Sequence, residues 1–146
     1  MSFVPKSRKE LDVAIREYII DNQKEKYGEI NTWDVSNITN MSFLFRNYTN
    51  FNQPLNSWDV SNTSNMECMF YNCKSFNQPL NSWDVSNVRS MKCMFVNCTL
   101  FNQPLNSWNV SNVENMVGMF EYCTNFNKSL NSWNVSNVKL VSFMFQ

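Results

Sequence analysis

The chain contains no histidine and only two glycines. Without histidine it lacks the side chain that most often does general acid–base work near neutral pH, and the commonest metal ligand. Two glycines leave no material for a glycine-rich phosphate loop, and no nucleophile elbow is present. Twelve basic residues balance twelve acidic ones, so no electrostatic footprint points to nucleic acid or an anionic membrane. Apolar runs fall short of the roughly 18 residues that a membrane span needs. Residues 1–7 lack the apolar core of a secretory signal, and no cysteine stands nearby for lipid attachment. These absences predict a non-catalytic protein with no cofactor and no bound metal. They place it in the cytoplasm or a virion, with the extracellular surface as the alternative.

What the chain has instead is repetition. The stretch Phe51-Asn-Gln-Pro-Leu-Asn-Ser-Trp-Asp-Val-Ser-Asn62 returns almost letter for letter at 76–87 and 101–112, and in worn form at 126–137. Trp33, Trp58, Trp83, Trp108 and Trp133 stand 25 residues apart without insertion or deletion. The column Leu55, Leu80, Leu105, Leu130 keeps the same step, as does Phe45, Phe70, Phe95, Phe120, Phe145. A strict period between about 20 and 50 residues marks coils that stack on their neighbours and cannot bury their apolar faces alone. An apolar content of 43% argues against disorder. Roughly one residue in six is asparagine.

Within one coil, Leu55-x-x-Trp58-x-Val60 has the two-residue step of a short strand. Met66, Met69, Phe70 and Cys73 then step by three and four, which predicts a short helix or 3₁₀ segment. Pro79 turns the chain back after Asn77 and Gln78. The expected fold is therefore an α/β repeat solenoid, with short parallel strands about 4.8 Å apart and short helices. Asparagine columns such as Asn52, Asn77, Asn102, Asn127 and Asn56, Asn81, Asn106, Asn131 are expected to bond coil to coil through their side-chain amides.

Residues 1–28 stand outside the repeat. Ser7-Arg-Lys-Glu10 is a capping box, in which Ser7 accepts from Glu10 and Glu10 reaches back to Ser7. Leu11, Ile15, Tyr18 and Ile19 follow at helical spacing, widened by Val13 and Ile20, and Gly28 supplies a left-handed stop. This predicts one capping helix over about 8–26, covering the open end of a 29–146 array of about four and a half coils.

The phrase Phe-Asn-Gln-Pro-Leu-Asn-x-Trp-Asp-Val-Ser-Asn-Val, followed by Asn-Met-x-x-Met-Phe, resembles the BspA-like bacterial surface-protein repeat of about 25 residues, grouped with the leucine-rich repeats. The likeness covers roughly residues 30–146. The lead-in Lys9-Glu-Leu…Lys26-Tyr-Gly-Glu-Ile-Asn-Thr-Trp-Asp-Val-Ser also looks like that of such proteins in algae, protists and large DNA viruses. The resemblance implies a right-handed, leucine-rich-repeat-like solenoid that works in protein–protein contact or adhesion. It carries over no catalytic residue.

Three site readings remain. The cysteine columns Cys68/Cys93 and Cys73/Cys98/Cys123 hold Phe43, Gly118, Phe143 or Tyr48 elsewhere, which is how packing positions behave, so buried free thiols are expected rather than disulfides or zinc. Asp34, Asp59 and Asp84 become Asn109 and Asn134, which fits a local Asp-x-Ser turn better than a cation site. The sequons, such as Asn37-Ile-Thr39, arise from composition.

Partner contact is expected on two surfaces. One is the outer helical face, where Glu67, Lys92, Val117 and Ser142 vary freely, as do Arg46, Tyr71, Val96 and Glu121. The other is the open C-terminal coil, with Trp133, Val135, Val138, Met144 and Phe145, which would meet a second copy or a different protein. The function read from the sequence is a non-catalytic interaction or scaffold module, such as a virion component, with a secreted or surface adhesin as the alternative.

Overall fold

In a computed structural model describing residues 2–146, helix α1 spans Arg8–Ile19, a single-turn helix α2 spans Lys24–Tyr27, and a 3₁₀ turn covers Ile30–Thr32. Everything after Thr32 is turns and irregular chain with isolated bridges. The start of α1 follows from its cap. Ser7 is extended, and its Oγ accepts from the Glu10 N–H at 3.2 Å. The Glu10 carboxylate accepts from the Lys6 N–H at 2.7 Å, one residue before the position expected for it. Leu11, Ala14, Ile15 and Tyr18 are buried, whereas Val13 and Ile20 face solvent. The single helix expected through about residue 26 is split, because Asn22 adopts φ 53° and ends α1. Asparagine tolerates that region better than most residues. Gly28, at φ 69°, closes only α2, its N–H donating to the Lys24 carbonyl at 2.8 Å.

The α/β solenoid expected from the sequence is not what forms. Among the described residues there is no strand and no sheet, and within the coils no helix beyond the 3₁₀ turn at Ile30–Thr32. Parallel pairing survives only as isolated bridges, Asn40 to Asn65, Asn65 to Ser90, Ser90 to Asn115 and Asn115 to Leu140. These bridges border the segment expected to be helical, not Trp58–Val60. The reason lies in where alternate N–H groups go. Those of Met66, Cys68, Phe70 and Asn72 donate to Ser90, Lys92, Met94 and Val96 in the next coil at 2.7–3.0 Å. Those of Met69, Tyr71 and Cys73 donate three residues back within their own coil at 2.9–3.3 Å. A continuous helix would use every N–H internally and a strand would use none that way. The chain alternates, so it forms neither.

This alternation needs two left-handed residues per coil. One column is Phe43, Cys68, Cys93, Gly118 and Phe143, at φ 51–63°. The other is Asn47, Asn72, Asn97 and Tyr122, at φ 57–67°. Left-handed backbone costs most side chains about 1–2 kcal/mol, and asparagine less. In the second column the asparagines also bond one another: Asn72 Nδ2 donates to Asn47 Oδ1 at 3.2 Å, and Asn97 Nδ2 to Asn72 Oδ1 at 2.8 Å. Tyr122 breaks that series. Tyr122→Asn is therefore expected to stabilise the chain by about 1 kcal/mol, by relieving backbone strain and adding a donor for Asn97 Oδ1. Thermal unfolding followed by circular dichroism would check it, and a lowered midpoint would refute the account.

The core consists of columns running coil to coil. Phe45, Phe70, Phe95, Phe120 and Phe145 stack with centroids 5.4–5.6 Å apart. Phe51, Phe76, Phe101 and Phe126 form a second column at 5.9–6.0 Å. The tryptophans point inward, and every indole after Trp33 is anchored across the coil boundary, while Trp33 donates to the Tyr27 carbonyl of the N-terminal segment. Trp83 Nε1 donates to the Leu55 carbonyl at 2.9 Å, and Trp108 and Trp133 do the same to Leu80 and Leu105. Those carbonyls also take the Trp N–H of their own coil, as Leu55 does from Trp58 at 3.0 Å. One invariant phrase thus satisfies its own turn and the turn of the next coil.

At the first coil α1 stands in for a neighbour. The Arg8 guanidinium donates to the Asn40 and Ser42 carbonyls at 2.9 and 2.7 Å. The equivalent carbonyls one coil later, Asn65 and Glu67, take the N–H groups of Met41 and Phe43. Asn37 Nδ2 donates to Pro5, where Asn62, Asn87 and Asn112 donate to the preceding coil.

Candidate interaction surfaces

The expected sites separate cleanly once placed. Cys73, Cys98 and Cys123 are buried, and each thiol donates across a coil boundary, to the Phe45, Phe70 and Phe95 carbonyls at 2.8–2.9 Å. Burial pushes Cys73 and Cys123 up to about 12 and Cys98 well above its ordinary value. Cys68 and Cys93 are only half-buried, contrary to expectation, because their left-handed backbone turns the side chain toward the rim. Burial still raises both thiols, Cys68 to about 11, so neither is an activated nucleophile. Among the described residues no group of three or more cysteine, aspartate or glutamate side chains comes together to hold a metal ion.

The aspartate column makes local turns. The Oδ1 atoms of Asp34, Asp59 and Asp84 accept from the N–H two residues on at 3.0–3.1 Å, and Asn109 and Asn134 do the same at 3.1 Å. Hydrogen bonds from Ser36 and Ser86 hold Asp34 and Asp84 below the usual carboxylate range. The asparagine columns named from the sequence bond across coils by a different pairing. Asn52 and Asn77 Oδ1 accept the backbone N–H of Asn77 and Asn102, and Asn56 pairs with Ser82 through both its amide atoms. Asparagine on asparagine occurs instead at 47, 72 and 97, a column not expected from the sequence.

On the outer face, Lys92 and Ser142 are exposed and Glu67 and Val117 half-exposed. Arg46 projects between Phe43 and Tyr71, its guanidinium 5.6 and 5.3 Å from their ring centres. Val96, expected to face solvent in this row, is buried at 5% exposure. Beside the row, Glu114 lies between Lys139 at 2.7 Å and Arg89 at 3.6 Å. The lysine hydrogen bond lowers the glutamate's pKa. Such exposed pairs contribute little to stability.

The last coil differs from the expected list. Trp133 is buried at 8% exposure with its indole bonded, and Val138 and Met144 pack partly on the core. Val135 and Phe145 are exposed at 51% and 64%. Leu140, Val141 and Phe143, not among the residues expected here from the sequence, are exposed as well, at 53%, 54% and 63%. A further feature invisible in the sequence is a cleft of about 370 Å³ between the end of α1 and the first coil, lined by Tyr18, Ile19, Lys24, Asn47, Tyr48 and Gln53 among others.

Stacked 25-residue coils with buried aromatic columns, anchored indoles and one variable rim define a repeat module. The chain belongs to the family described as Mycoplasma protein of unknown function, DUF285, the BspA-like repeat family, whose model matches residues 13–122 and 81–146. Comparison with curated proteins and with solved structures finds no match. No described helix is long and apolar enough to cross a membrane.

Proposed function

We propose that the chain is a non-catalytic interaction or scaffold module that binds other proteins through the outer rim of its coils. The observation that supports this reading is the contrast between the columns. Trp, Leu and Phe recur with the period and the Trp–Leu pairs carry inter-coil bonds, while the rim positions 46, 71 and 121 carry Arg, Tyr and Glu. A frame that repeats without variation presents a rim that does not, and the Arg46–Tyr71–Phe43 cluster has the aromatic and guanidinium chemistry enriched at protein contacts. The last coil, with Val135, Leu140, Val141, Phe143 and Phe145 all exposed, is the second contact surface, for another copy or another protein.

Within this reading the chain is a component of a larger assembly, such as a virion. A secreted or surface adhesin of the BspA-like type is the alternative. Size fractionation of the native source with mass spectrometry tests it. Co-migration with a larger assembly, lost in the variant Arg46→Glu with Tyr71→Ser while its thermal midpoint is unchanged, is the expected outcome. Recovery only as a free monomer would refute the module, and recovery only outside the cell with occupied sequons would replace the assembly component with the adhesin.

A further inference from the structure

The cleft beside α1 has a chemistry that the repeat itself spells out. In the second coil four donors reach back to the first. Asn72 Nδ2 donates to Asn47 Oδ1 at 3.2 Å, and the Ser75 N–H to the Thr49 carbonyl at 3.0 Å. The Asn77 N–H donates to Asn52 Oδ1 at 2.9 Å, and Gln78 Nε2 to both oxygens of Asn52 at 3.2 Å. The third coil repeats all four, from Asn97, Leu100, Asn102 and Gln103.

The counterparts in the first coil are Asn47 Nδ2, the N–H groups of Asn50 and Asn52, and Gln53 Nε2. None of these four has a protein partner among the described residues. All four residues line the cleft, together with Ile19, Ile20 and Tyr48. The α1 helix caps the carbonyls of Asn40 and Ser42 through Arg8, but it and the following Asn22 and Lys24, which line the cleft, supply no acceptor to these four donors.

We propose that this cleft is a binding site for an extended peptide segment presenting a backbone carbonyl and, three residues later, an asparagine. The donors are spaced by the fold for those acceptors: in the later coils they meet the carbonyl of Thr49 or Lys74 and the two oxygens of Asn52 or Asn77. Ile19, Ile20 and Tyr48 offer apolar contact to the intervening side chains. Recognition by a row of donors and a side-chain pocket is the logic of strand addition to an open edge. The site deepens the interaction-module reading and rests on it for its biological sense, but its lining includes neither the rim positions nor the last coil.

The test is a titration of the ¹⁵N-labelled full chain with N-acetyl-Thr-Leu-Phe-Asn-amide, the sequence of residues 99–102, read by amide chemical shifts. Saturating shifts of the side-chain amides of Asn47 and Gln53 and the backbone amides of Asn50 and Asn52 are expected below about 5 mM. Gln53→Ala, which removes no bond within the protein, is expected to weaken binding about fivefold to tenfold. The peptide ending in leucine instead of asparagine should bind at least as much more weakly. Three results would overturn the proposal: no saturation, equal binding of the leucine peptide, or inorganic phosphate moving the same amides where the peptide does not. A failed titration with rim-dependent assembly intact would remove this site and leave the module standing.

Discussion

Phe95→Ala is expected to cost the fold about 3–5 kcal/mol and to lower its thermal midpoint by about 10 °C or more. The ring is fully buried and is held from both sides, with Phe70 at 5.5 Å and Phe120 at 5.6 Å in its own column. Phe101 at 4.3 Å and Trp108 at 6.4 Å close it in laterally. Truncation therefore loosens two coil interfaces at once. In a stack stabilised by contacts between neighbours, a weak interface in the middle uncouples the halves. Urea unfolding at equilibrium measures the loss, with the exposed Phe143→Ala as a control expected to stay within about 0.5 kcal/mol. A Phe95→Ala chain within about 1 kcal/mol of the parent would mean that the aromatic columns do not hold the stack.

The second large effect is alkaline unfolding. Cys73 and Cys123 rise from an ordinary 9.0 to about 12, and Cys98 moves the same way, in each case chiefly because burial penalises the thiolate. The sign follows from which state holds the proton. Below about pH 9 the thiols are protonated in both states and their contribution to stability is complete. Above it the unfolded chain ionises first, and stability falls as pH rises through about 12. Cys73 and Cys123 each remove about 1.4 kcal/mol per pH unit in that window, or on the order of 4 kcal/mol apiece, and Cys98 adds to the loss in the same direction. Tyr18, Tyr27 and Tyr48, also raised by burial, act in the same direction at the upper end. Circular dichroism from pH 8 to about 12 is expected to show cooperative unfolding inside the window. Replacing Cys73, Cys98 and Cys123 together by serine keeps a donor for each carbonyl and removes the titration, so the transition should move to higher pH. An unchanged transition would show that the thiols ionise without unfolding the chain.

The sites divide along a similar line. The turn role of Asp34, Asp59 and Asp84 was readable because an Asp-x-Ser bond involves residues two apart and tolerates asparagine. Arg8 was not, since its acceptors at Asn40 and Ser42 lie more than thirty residues away. Trp133 was expected to be open yet is covered, because one neighbouring coil suffices to bury an indole anchored on Leu105. The left-handed columns left a trace in the sequence, asparagine at 47, 72 and 97 and glycine at 118. Cysteine, phenylalanine and tyrosine at equivalent positions masked it, since those residues rarely signal that backbone.

The sequence by itself determined the period, the inward columns of Trp, Leu and Phe, and the cap at Ser7. These follow from spacing and side-chain type, which do not depend on where the backbone hydrogen bonds go. Only the tertiary structure decided that the coils are built of turns rather than strands and helices. A step of three and four describes which side chains face inward, and a helix and a run of linked turns satisfy it equally. The choice between them is made by the neighbouring coil, whose carbonyls take every second N–H and so prevent either regular element from forming.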